Sequence, residues 1–310
     1  MSYSIGLDIG GTKVLSVLLD ADGHIARESR QASPHTGLDA LIATSATIVA
    51  ELRTAKEPVG VGIAGLVDAR GTVGYSPNLP QIRDAPVGDA LAAATTHRVV
   101  VDNDANVAAI AESAYGAARG TRHSLLVTLG TGIGGGLTLN GCVYRGAHNF
   151  AGEIGHFTVD PNGPMCACGE RGHWEAFASG SALGRMAREL GARGGAGAIV
   201  AAAGGEPAAV RGIHVAEAAA HGDGDALTLL AEYADNIALG LAGLANVLDP
   251  ERIVIAGGIV ELGPLLFGPL RDAFRRHVEG SEYRRDVTIV PAELGERAGA
   301  VGAAILAREL

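Results

Sequence analysis

The start of the chain alternates apolar runs with short polar turns. Residues 5–9 and 14–19 are apolar and β-prone, and the turn Gly10-Gly11-Thr12-Lys13 separates them. An Asp-Gly turn then leads towards a third strand at Ile25. Apolar runs joined by tight turns are typical of antiparallel strands, so this stretch predicts a strand–turn–strand unit with a glycine tip.

Helical and strand-like patterns then alternate along the rest of the chain. Apolar positions at helical spacing predict helices over 38–54, 225–248 and 264–279, and a further helix from Ala298. Continuous apolar runs predict strands over 59–64, 99–101, 125–129, 137–139, 252–256 and 287–290. Residues 191–205 are rich in alanine and glycine and are expected to form a surface loop or a weak helix. The alternation is typical of an α/β protein.

A second glycine-rich turn repeats the setting of the first. Gly130-Thr131-Gly132 follows one predicted strand and precedes another. The spacing of Gly130, Gly132 and Gly135 satisfies the dinucleotide-binding fingerprint by letter, but that fingerprint opens a helix, and a strand is predicted here. A nicotinamide dehydrogenase is therefore disfavoured. Two similar hairpins, one in each half of the chain, predict duplicated lobes that face one cleft and grip a triphosphate between them.

Length, charge and cysteine content narrow the class of protein. The chain has 310 residues, 47% of them hydrophobic, and a formal net charge of −10. The acidic balance disfavours an electrostatic nucleic-acid or membrane-surface partner. No signal-peptide pattern is visible, no apolar run is long enough to span a bilayer, and three cysteines do not suggest a disulfide framework. We therefore expect a cytoplasmic protein of two lobes.

A polar segment directly follows the strand predicted at 99–101. Its sequence is Asp102-Asn103-Asp104-Ala105-Asn106, and the helical pattern after it puts Asn103 and Asp104 at a helix N-terminus. Two interpretations of Asp104 remain open. An aspartate in this position most often caps the helix, and it also stands where carboxylates at strand ends reach a ligand crevice.

The glycine turns have two interpretations as well. Glycines let backbone N–H groups approach an anion, Thr12 adds a hydroxyl, and Asp8 at the strand end suits a hydrated magnesium ion. Each turn is also consistent with an ordinary hairpin. A Walker A loop is absent from the sequence, because Lys13 lacks the upstream spacing that this motif requires.

The segment 153–175 concentrates side chains that bind metals. His156, Cys166, Cys168 and His173 supply the number and type of ligands that close a tetrahedral zinc site. The Cys-x-Cys spacing is tighter than the usual Cys-x-x-Cys, so two buried thiols and two surface histidines are the alternative. A loop with many glycines and no core of its own is a place where a metal stabilises the fold.

Six motifs stand in order along essentially the whole chain. They are Asp8-Ile-Gly-Gly-Thr-Lys13, Asp102-Asn-Asp-Ala-Asn106, Leu129-Gly-Thr-Gly-Ile-Gly-Gly135, Gly152-Glu-Ile-Gly-His156, Cys166-x-Cys-Gly-x-x-Gly172-x-x-Glu175 and Ile255-Ala-Gly-Gly258. Together they resemble the ROK family of sugar kinases and repressors, and within it the bacterial ATP-dependent glucokinases. The resemblance implies a two-lobed actin/hexokinase-like, ribonuclease H-like fold with a duplicated α/β core and a central cleft. It implies a smaller lobe of residues 1–119 plus 298–310 and a larger lobe of residues 120–297.

The resemblance also implies the chemistry, which is transfer of the γ-phosphate of ATP to the 6-hydroxyl of glucose with magnesium as cofactor. Asp104 would be the catalytic base. The sugar would contact Gly65, Asn78, Asn103, Asp104, Glu153, His156 and Glu175. The nucleotide and its magnesium would contact Asp8, Gly10, Gly11, Thr12, Lys13, Gly130, Thr131, Gly132, Gly257 and Gly258.

One position departs from the family pattern. His173 stands where the family usually has a third cysteine before Trp-Glu, and imidazole is neutral where thiolate is charged. The resemblance implies a structural zinc ion held by His156, Cys166, Cys168 and His173, with His156 also contacting the sugar through its other ring nitrogen. The replacement raises the net charge of the site by one, so a rearranged, weaker or absent zinc site is the alternative.

Several alternatives remain open at this point. The residues that contact common hydroxyls do not separate glucose from N-acetylglucosamine, N-acetylmannosamine, mannose or fructose, and a polyphosphate donor or a non-catalytic sugar sensor is conceivable. A sugar-responsive repressor is disfavoured, because the first phosphate motif begins at residue 8 and leaves no room for a preceding helix-turn-helix domain. The resemblance further suggests a homo-oligomer, a dimer or tetramer formed through the larger lobe.

Overall fold

The computed structural model describes residues 3–310, which contain thirteen β-strands and ten α-helices. The strands are β1 (Ser4–Ile9), β2 (Lys13–Leu19), β3 (Ile25–Ala32), β4 (Val59–Ile63), β5 (Leu66–Val67), β6 (Val73–Tyr75), β7 (Arg83–Ala85), β8 (Val99–Asn103), β9 (Ser124–Leu129), β10 (Ile133–Leu139), β11 (Cys142–Val143), β12 (Arg252–Ala256) and β13 (Thr288–Pro291). The helices are α1 (Leu38–Leu52), α2 (Val87–Thr95), α3 (Asp104–Tyr115), α4 (Glu175–Ala178), α5 (Gly180–Ala192), α6 (Gly197–Ala202), α7 (Gly212–Ala220), α8 (Gly224–Leu248), α9 (Pro264–His277) and α10 (Ala298–Ala307).

Two five-stranded sheets have the same strand order. The first is β3-β2-β1-β4-β8 and the second is β11-β10-β9-β12-β13, so each follows the order third, second, first, fourth, fifth along its own part of the chain. In the first sheet β1 is antiparallel to β2 and parallel to β4, which is parallel to β8. The second sheet repeats an antiparallel pair, β10 with β11, and a parallel pair, β12 with β13. The duplicated α/β core predicted from the two glycine turns is therefore confirmed.

The chain forms two compact units, each built from separate segments. The first runs up to Leu126 and includes Gly136–Gly152 and Ala292–Leu310, and the second consists of Val127–Gly135 and Glu153–Pro291. The lobe boundaries after residue 119 and before residue 298 stay a prediction. Within residues 3–310, no helix combines the length and apolar character that crossing a membrane requires.

Helix α10 packs directly on backbone within the first unit, and glycines make this possible. A Cβ atom added at Gly6 of β1 would lie 1.9 Å from the carbonyl oxygen of Ala300. On α10 itself, a Cβ atom at Gly302 would lie 1.6 Å from the carbonyl oxygen of Val107 in α3. Any larger residue would therefore push the helix away from the sheet or from α3. The position of the predicted C-terminal helix depends on these glycines.

Strand β10 begins earlier than the apolar pattern predicts. The sequence predicts a strand over 137–139, whereas the structure extends it back to Ile133, so that three consecutive glycines lie inside the strand. A Cβ atom at Gly136 would lie 2.6 Å from the carbonyl oxygen of Ala105 and 2.5 Å from the Cβ atom of Ala109. These glycines let α3 pack closely on β10, which local sequence patterns do not reveal. The segment 191–205 includes the short helix α6.

Candidate functional site

The junction of β8 and α3 presents Asn103 and Asp104 in different roles. Asn103 is the N-cap, because its side chain accepts hydrogen bonds from the backbone N–H groups of Ala105 at 2.8 Å and Asn106 at 3.2 Å. Its amide also donates to the carbonyl oxygen of Gly65 at 3.1 Å, which joins two of the predicted sugar contacts. Asp104 is the first helical residue, and the structure gives the capping role to its neighbour. Its Oδ1 accepts from the N–H of Ala105 at 3.0 Å, but the N-cap position belongs to Asn103.

Asp104 and Asp8 are acidic groups of the first unit whose charges interact. Burial raises the pKa of Asp104 above its ordinary value. Burial and, to a smaller degree, the charge of Asp104 raise the pKa of Asp8 to about 7, while Lys13 lowers it. Two carboxylates that resist joint ionisation suit a bound cation, which removes their repulsion and offsets their desolvation. Because Mg²⁺ prefers oxygen ligands, this donor set fits a magnesium ion that accompanies a nucleotide.

We expect Asp8→Asn to stabilise the metal-free protein at alkaline pH. A raised folded-state pKa contributes stability that is present below the unfolded value of 3.8 and is lost as pH rises through about 7. The asparagine side chain cannot ionise, so the advantage of the variant over the parent should be about 1–3 kcal/mol larger near pH 8 than near pH 4. Urea unfolding in EDTA at both pH values measures this difference. A variant no more stable than the parent near pH 8 would contradict the assignment.

The first glycine turn is held by internal hydrogen bonds. The N–H of Gly10 donates to the carbonyl oxygen of Lys13 at 3.0 Å, and the carbonyl oxygen of Gly10 accepts from the Ser33 hydroxyl at 2.6 Å. Gly11 lies against the predicted sugar contact Asn78, since a Cβ atom there would be 2.9 Å from the Asn78 carbonyl oxygen. The N–H of Gly10 is thus engaged within the turn, and Thr12 stands exposed at its tip.

Lys13 already has an anionic partner. Its ammonium pairs with the carboxylate of Glu296, which also binds Arg30. Binding a phosphate through Lys13 would require this exposed pair to open. Because exposed ion pairs contribute at most about 1 kcal/mol, the rearrangement is accessible. The sequence carries no signal for this pairing, because Glu296 lies far along the chain.

The second glycine turn is closed in a similar way. The N–H of Gly130 donates to the carbonyl oxygen of Gly132 at 3.0 Å, and Gly130 accepts from the N–H of Gly180 at 2.8 Å. The turn therefore presents Thr131 and Gly132. A Cβ atom at Gly257 would lie 2.3 Å from the carbonyl oxygen of Leu129, so this predicted adenosine contact, which follows β12, lies close to the end of β9. The second unit thus brings these two predicted nucleotide motifs together.

The carboxylate of Glu175 also contacts the second glycine turn. Its Oε2 accepts a hydrogen bond from the N–H of Ile133 at 2.8 Å, and a Cβ atom at Gly132 would lie 2.3 Å from the same oxygen. Its Oε1 accepts from the Cys166 thiol at 3.4 Å. Glu175 therefore connects the second glycine turn to the candidate metal cluster, and its position at the start of α4 fixes it there.

The four predicted metal ligands converge in the second unit. Each of His156, Cys166, Cys168 and His173 offers one ligand atom, and these atoms all lie within 4.8 Å of one another. The Nδ1 atoms of the two histidines are 3.3 Å apart, and Nδ1 of His173 is 3.2 Å from Sγ of Cys168. Two thiols and two imidazoles at these separations fit a tetrahedral metal site. The alternative of two buried thiols and two surface histidines is wrong for the thiols, because Cys166 is buried but Cys168 is exposed within the cluster.

His156 connects the cluster to the predicted sugar contact Glu153. Its Nδ1 lies 3.8 Å from Sγ of Cys166, whereas its Nε2 lies 3.9 Å from Oε2 of Glu153. The two ring nitrogens thus face different neighbours. Burial raises the pKa of the Cys166 thiol to about 12, so thiolate ligation there requires the charge of a bound cation.

Trp174 anchors the cluster loop to α8, a role that the sequence analysis missed. Its side chain is fully buried, its Nε1 donates to the carbonyl oxygen of Asn236 at 2.9 Å, and Phe157 stacks on its ring. The ring lies so close to Gly240 that a Cβ atom there would be 2.0 Å from it. A lone tryptophan immediately before Glu175 was the available signal. Its partners on α8 could not be found without the fold.

A buried ion pair lies behind the Asn103–Asp104 junction, and the sequence analysis missed it too. Asp102 is 1% exposed, and its Oδ2 accepts from Nε of Arg145 at 2.7 Å. Its Oδ1 accepts from the N–H of Asn103 at 2.7 Å and from the side-chain amide of Asn106 at 2.9 Å. The carboxylate therefore ties the end of β8 to the first turn of α3. Because charge-assisted bonds fix geometry, this network holds Asp104 in place.

We expect Arg145→Met to cost about 3 kcal/mol of stability and to lower kcat by about tenfold. The substitution leaves the Asp102 carboxylate buried without its cation. Asp102→Asn combined with Arg145→Met removes both charges and should restore most of the stability. Urea unfolding of the single and double variants, together with their kinetics, tests this double-mutant cycle. Equal stability of parent and Arg145→Met would refute the role of the ion pair.

Two sheets of the same order, each with a glycine turn after its first strand, define an α/β protein of the actin/hexokinase type. The chain belongs to the ROK family, whose profile matches residues 4–310. It is 37% identical over 314 residues to the glucokinase of Streptomyces coelicolor, covering 100% of this chain and 98% of that protein. It is also 37% identical over 309 residues to the glucokinase of Thermotoga maritima, covering 98% and 97% of the two chains.

A solved structure resembles the fold closely. The crystal structure of a ROK family glucokinase from Streptomyces griseus in complex with glucose and AMPPNP has a TM-score of 0.88 and 37% sequence identity, and the match covers 100% of both chains. The actin/hexokinase-like fold implied by the sequence motifs is therefore confirmed.

Proposed function

We propose that this protein is an ATP-dependent glucokinase, which transfers the γ-phosphate of ATP to the 6-hydroxyl of glucose and releases glucose 6-phosphate and ADP. The carrying observation is Asp104, a carboxylate with a raised pKa at a strand end whose capping task is taken by Asn103. A kinase of this type needs one such group to receive the hydroxyl proton. The names of the Streptomyces and Thermotoga relatives support glucose as the acceptor.

In the proposed reaction the sugar oxygen attacks phosphorus as the bond to the ADP oxygen breaks. Asp104 accepts the proton of the 6-hydroxyl, so the new ester bond forms without a positive charge on oxygen. Because burial raises its pKa, Asp104 is a stronger base than an ordinary aspartate. The hydrogen bonds around Asp102 support this assignment, because they fix the helix turn that carries Asp104.

The sugar is proposed to be held by side chains that only accept hydrogen bonds and by side chains that can also donate them. Glu153 and Glu175 accept hydrogen bonds from ring hydroxyls, and the half-exposed His156 donates or accepts through Nε2. Gly65, Asn78 and Asn103 complete the proposed set of contacts. Carboxylates suit this task, because ionised they only accept, and each sugar hydroxyl can donate one hydrogen bond.

The nucleotide is proposed to bind at the glycine turns. Thr12 and Thr131 are exposed at the tips of the two turns, and backbone N–H groups of Gly11, Thr12, Thr131 and Gly132 are proposed to donate to phosphate oxygens, as in anion-binding turns. Gly10, Lys13 and Gly130 shape these turns, and Gly257 with Gly258 is proposed to line the adenosine. A magnesium ion at Asp8 would neutralise phosphate charge when ATP is bound.

We further propose that the cluster of His156, Cys166, Cys168 and His173 binds a structural zinc ion. The donor set supports zinc, which takes two thiolates and two imidazoles in a closed tetrahedral site. Holding Nδ1 of His156 would fix the ring tautomer and leave Nε2 directed towards Glu153. The cluster would then orient His156 as a sugar contact and take no part in phosphoryl transfer.

We expect His173→Cys to slow the loss of zinc to a chelator by about tenfold or more. A third thiolate adds negative charge around the cation, which imidazole does not. Zinc content by mass spectrometry and the rate of transfer to a colorimetric chelator measure this effect, with Cys142→Ser as a control because Cys142 is exposed and lies outside the cluster. A parent that carries no stoichiometric zinc after purification would contradict the proposed zinc site.

The glucokinase proposal is tested by a coupled ADP-release assay with a panel of hexoses. We expect kcat/KM for glucose to exceed that for N-acetylglucosamine, N-acetylmannosamine, mannose and fructose by about tenfold or more, and ATP to exceed polyphosphate as donor. A preference for an N-acetylated sugar would replace the substrate assignment. A parent that binds a sugar by calorimetry but releases no ADP would be a sugar sensor.

The proposal also covers the assembly and the location of the enzyme. We propose a dimer or tetramer formed through the larger lobe, and a cytoplasmic role at the entry of glucose into glycolysis. Static light scattering across a range of protein concentrations tests the assembly state. The acidic composition supports the absence of nucleic-acid and membrane partners.

A further inference from the structure

A second candidate site lies in the second unit and shares no residue with the proposed catalytic and substrate-binding set. A cavity of about 270 Å³ opens between α9 and the segment 278–289 that leads into β13. Phe274 and Ile289 contribute apolar surface, and four arginines, Arg271, Arg275, Arg284 and Arg285, contribute guanidinium groups. Its volume is near the lower end of ordinary small-molecule pockets, so it suits a compact ligand.

The charge of this cavity is opposite to that of the whole chain. The protein carries a formal net charge of −10, yet four cationic side chains line this one cavity, and Asp286 is the acidic residue among its lining. Four like charges in one cavity repel one another, and an anion between them converts that repulsion into attraction. Guanidinium groups also match the planar faces of phosphate and carboxylate oxygens with two parallel N–H donors.

Two of the four arginines are held in fixed orientations. Nε and Nη2 of Arg271 both donate to the carbonyl oxygen of Ile289, at 3.1 and 2.8 Å, and its guanidinium lies over the Phe267 ring. Arg284 donates to the side chains of Asn246 and Asp249, each at 3.0 Å. Because these side chains are already ordered, a ligand that binds them loses little further side-chain entropy.

The other two arginines are available to a ligand. Nη1 of Arg275 reaches Asp272 at 3.3 Å, and both side chains of that pair are about two-thirds exposed, at 66% and 70%. Such a pair is weak and opens readily. Arg285 has no hydrogen-bond or ion-pair partner anywhere in residues 3–310. The cavity is thus lined by two arginines that are held in place, Arg271 and Arg284, and by two that can bind a ligand, Arg275 and Arg285.

We propose that this cavity binds a small phosphorylated ligand through Arg275 and Arg285, with Arg271 and Arg284 fixing its walls. A phosphate group is favoured over a carboxylate because it carries nearly two charges at neutral pH and offers three acceptor oxygens to several guanidiniums at once. Phe274 and Ile289 also line the cavity, and the body of a phosphate ester would pack beside them. This site goes beyond the proposed kinase activity, since none of its residues belongs to the catalytic or substrate-binding set.

Calorimetric titration with inorganic phosphate and, separately, with glucose 6-phosphate tests the proposal. We expect Arg275→Glu combined with Arg285→Glu to weaken phosphate binding by about tenfold or more, because it reverses two charges in the cavity. Arg276→Glu is the matched control, because Arg276 lies on the same helix, pairs with Asp235 and is outside the cavity lining. That control variant should bind phosphate as the parent does.

The outcomes separate the sources of the ligand. Tighter binding of glucose 6-phosphate than of inorganic phosphate, lost in the double variant, identifies a phosphate ester as the ligand, whereas equal binding identifies free phosphate. Titrations in the presence of saturating ADP and glucose fill the proposed nucleotide and sugar sites, so that the binding still measured reports on the cavity. A parent that binds neither probe, or a double variant that binds both as tightly as the parent, overturns the proposal. Thermal unfolding and kcat of the double variant verify that it is folded.

Discussion

Asp104→Asn should lower kcat for glucose phosphorylation by about 10³-fold while the affinity for glucose changes only a few-fold. Asparagine keeps the shape of the side chain and its ability to accept a hydrogen bond, but it cannot take a proton. The loss therefore falls on the step in which the 6-hydroxyl is deprotonated, and not on sugar binding. Coupled ADP-release kinetics measure kcat, and calorimetry measures the affinity for glucose.

The pH dependence of the parent provides an independent check on Asp104. A general base must be ionised to act, so kcat/KM should rise with pH and level off above the pKa of Asp104. Because burial raises that pKa, the rise should lie at a higher pH than the ordinary aspartate value of 3.8 would give. In Asp104→Asn this acidic limb should disappear from the residual activity.

Asp39→Asn is the matched control for this experiment. Asp39 lies in the first turn of α1, as Asp104 lies in the first turn of α3, so both substitutions remove a negative charge from a helix N-terminus. Asp39→Asn should leave kcat and its pH profile unchanged. If Asp104→Asn kept a tenth or more of the parent's kcat, the base would have to be another group.

Gly302→Ala should destabilise the protein by at least about 3 kcal/mol, the largest stability effect that we expect from a single added methyl group. Its Cβ atom would lie 1.6 Å from the carbonyl oxygen of Val107, which belongs to the backbone of α3 and cannot rotate away. Helix α10 would have to move off α3 and β1, and the buried contacts between them would be lost. Urea unfolding followed by circular dichroism measures the change.

Gly243→Ala adds the same methyl group but should raise the free energy of unfolding instead of lowering it. Gly243 lies inside α8, and an added Cβ atom there meets nothing within 4 Å. Alanine has the higher helix propensity, so this variant should gain about 0.5–1 kcal/mol. If both variants shifted stability in the same direction, close packing of α10 would not be the reason for Gly302. Should Gly302→Ala fail to fold, the gain in Gly243→Ala still shows that alanine itself is tolerated.

Local sequence patterns were sufficient to predict most of the elements. The hairpin of β1 and β2 and the helices α1, α8 and α9 follow from apolar periodicity, because burying one face of each element needs that spacing wherever the element packs. The strand β10 was predicted too short, since its glycines carry no β signal of their own. Their reason is the approach of α3, which only the folded chain supplies.

The four metal ligands illustrate what a short segment can specify. His156, Cys166, Cys168 and His173 lie within one loop, so their convergence depends mainly on local turns, and residue type alone predicted the cluster. The orientation of that loop depends on Trp174, whose hydrogen bond to Asn236 joins residues 62 positions apart. Sequence patterns carry no information about such a pair in a single chain.

The sequence by itself determined which residue types are present and where they lie along the strands and helices: the two glycine turns, the acid-rich end of β8 and the metal-binding loop. Only the tertiary structure decided how these groups share their tasks. It assigned the cap to Asn103, paired Asp102 with Arg145 and Lys13 with Glu296, and fitted α10 against backbone through glycines. The physical reason is the distance along the chain over which each interaction acts. Periodicity and turn preferences reflect interactions between residues that are close in sequence. Ion pairing and close packing join residues that are far apart in sequence and that only folding brings together.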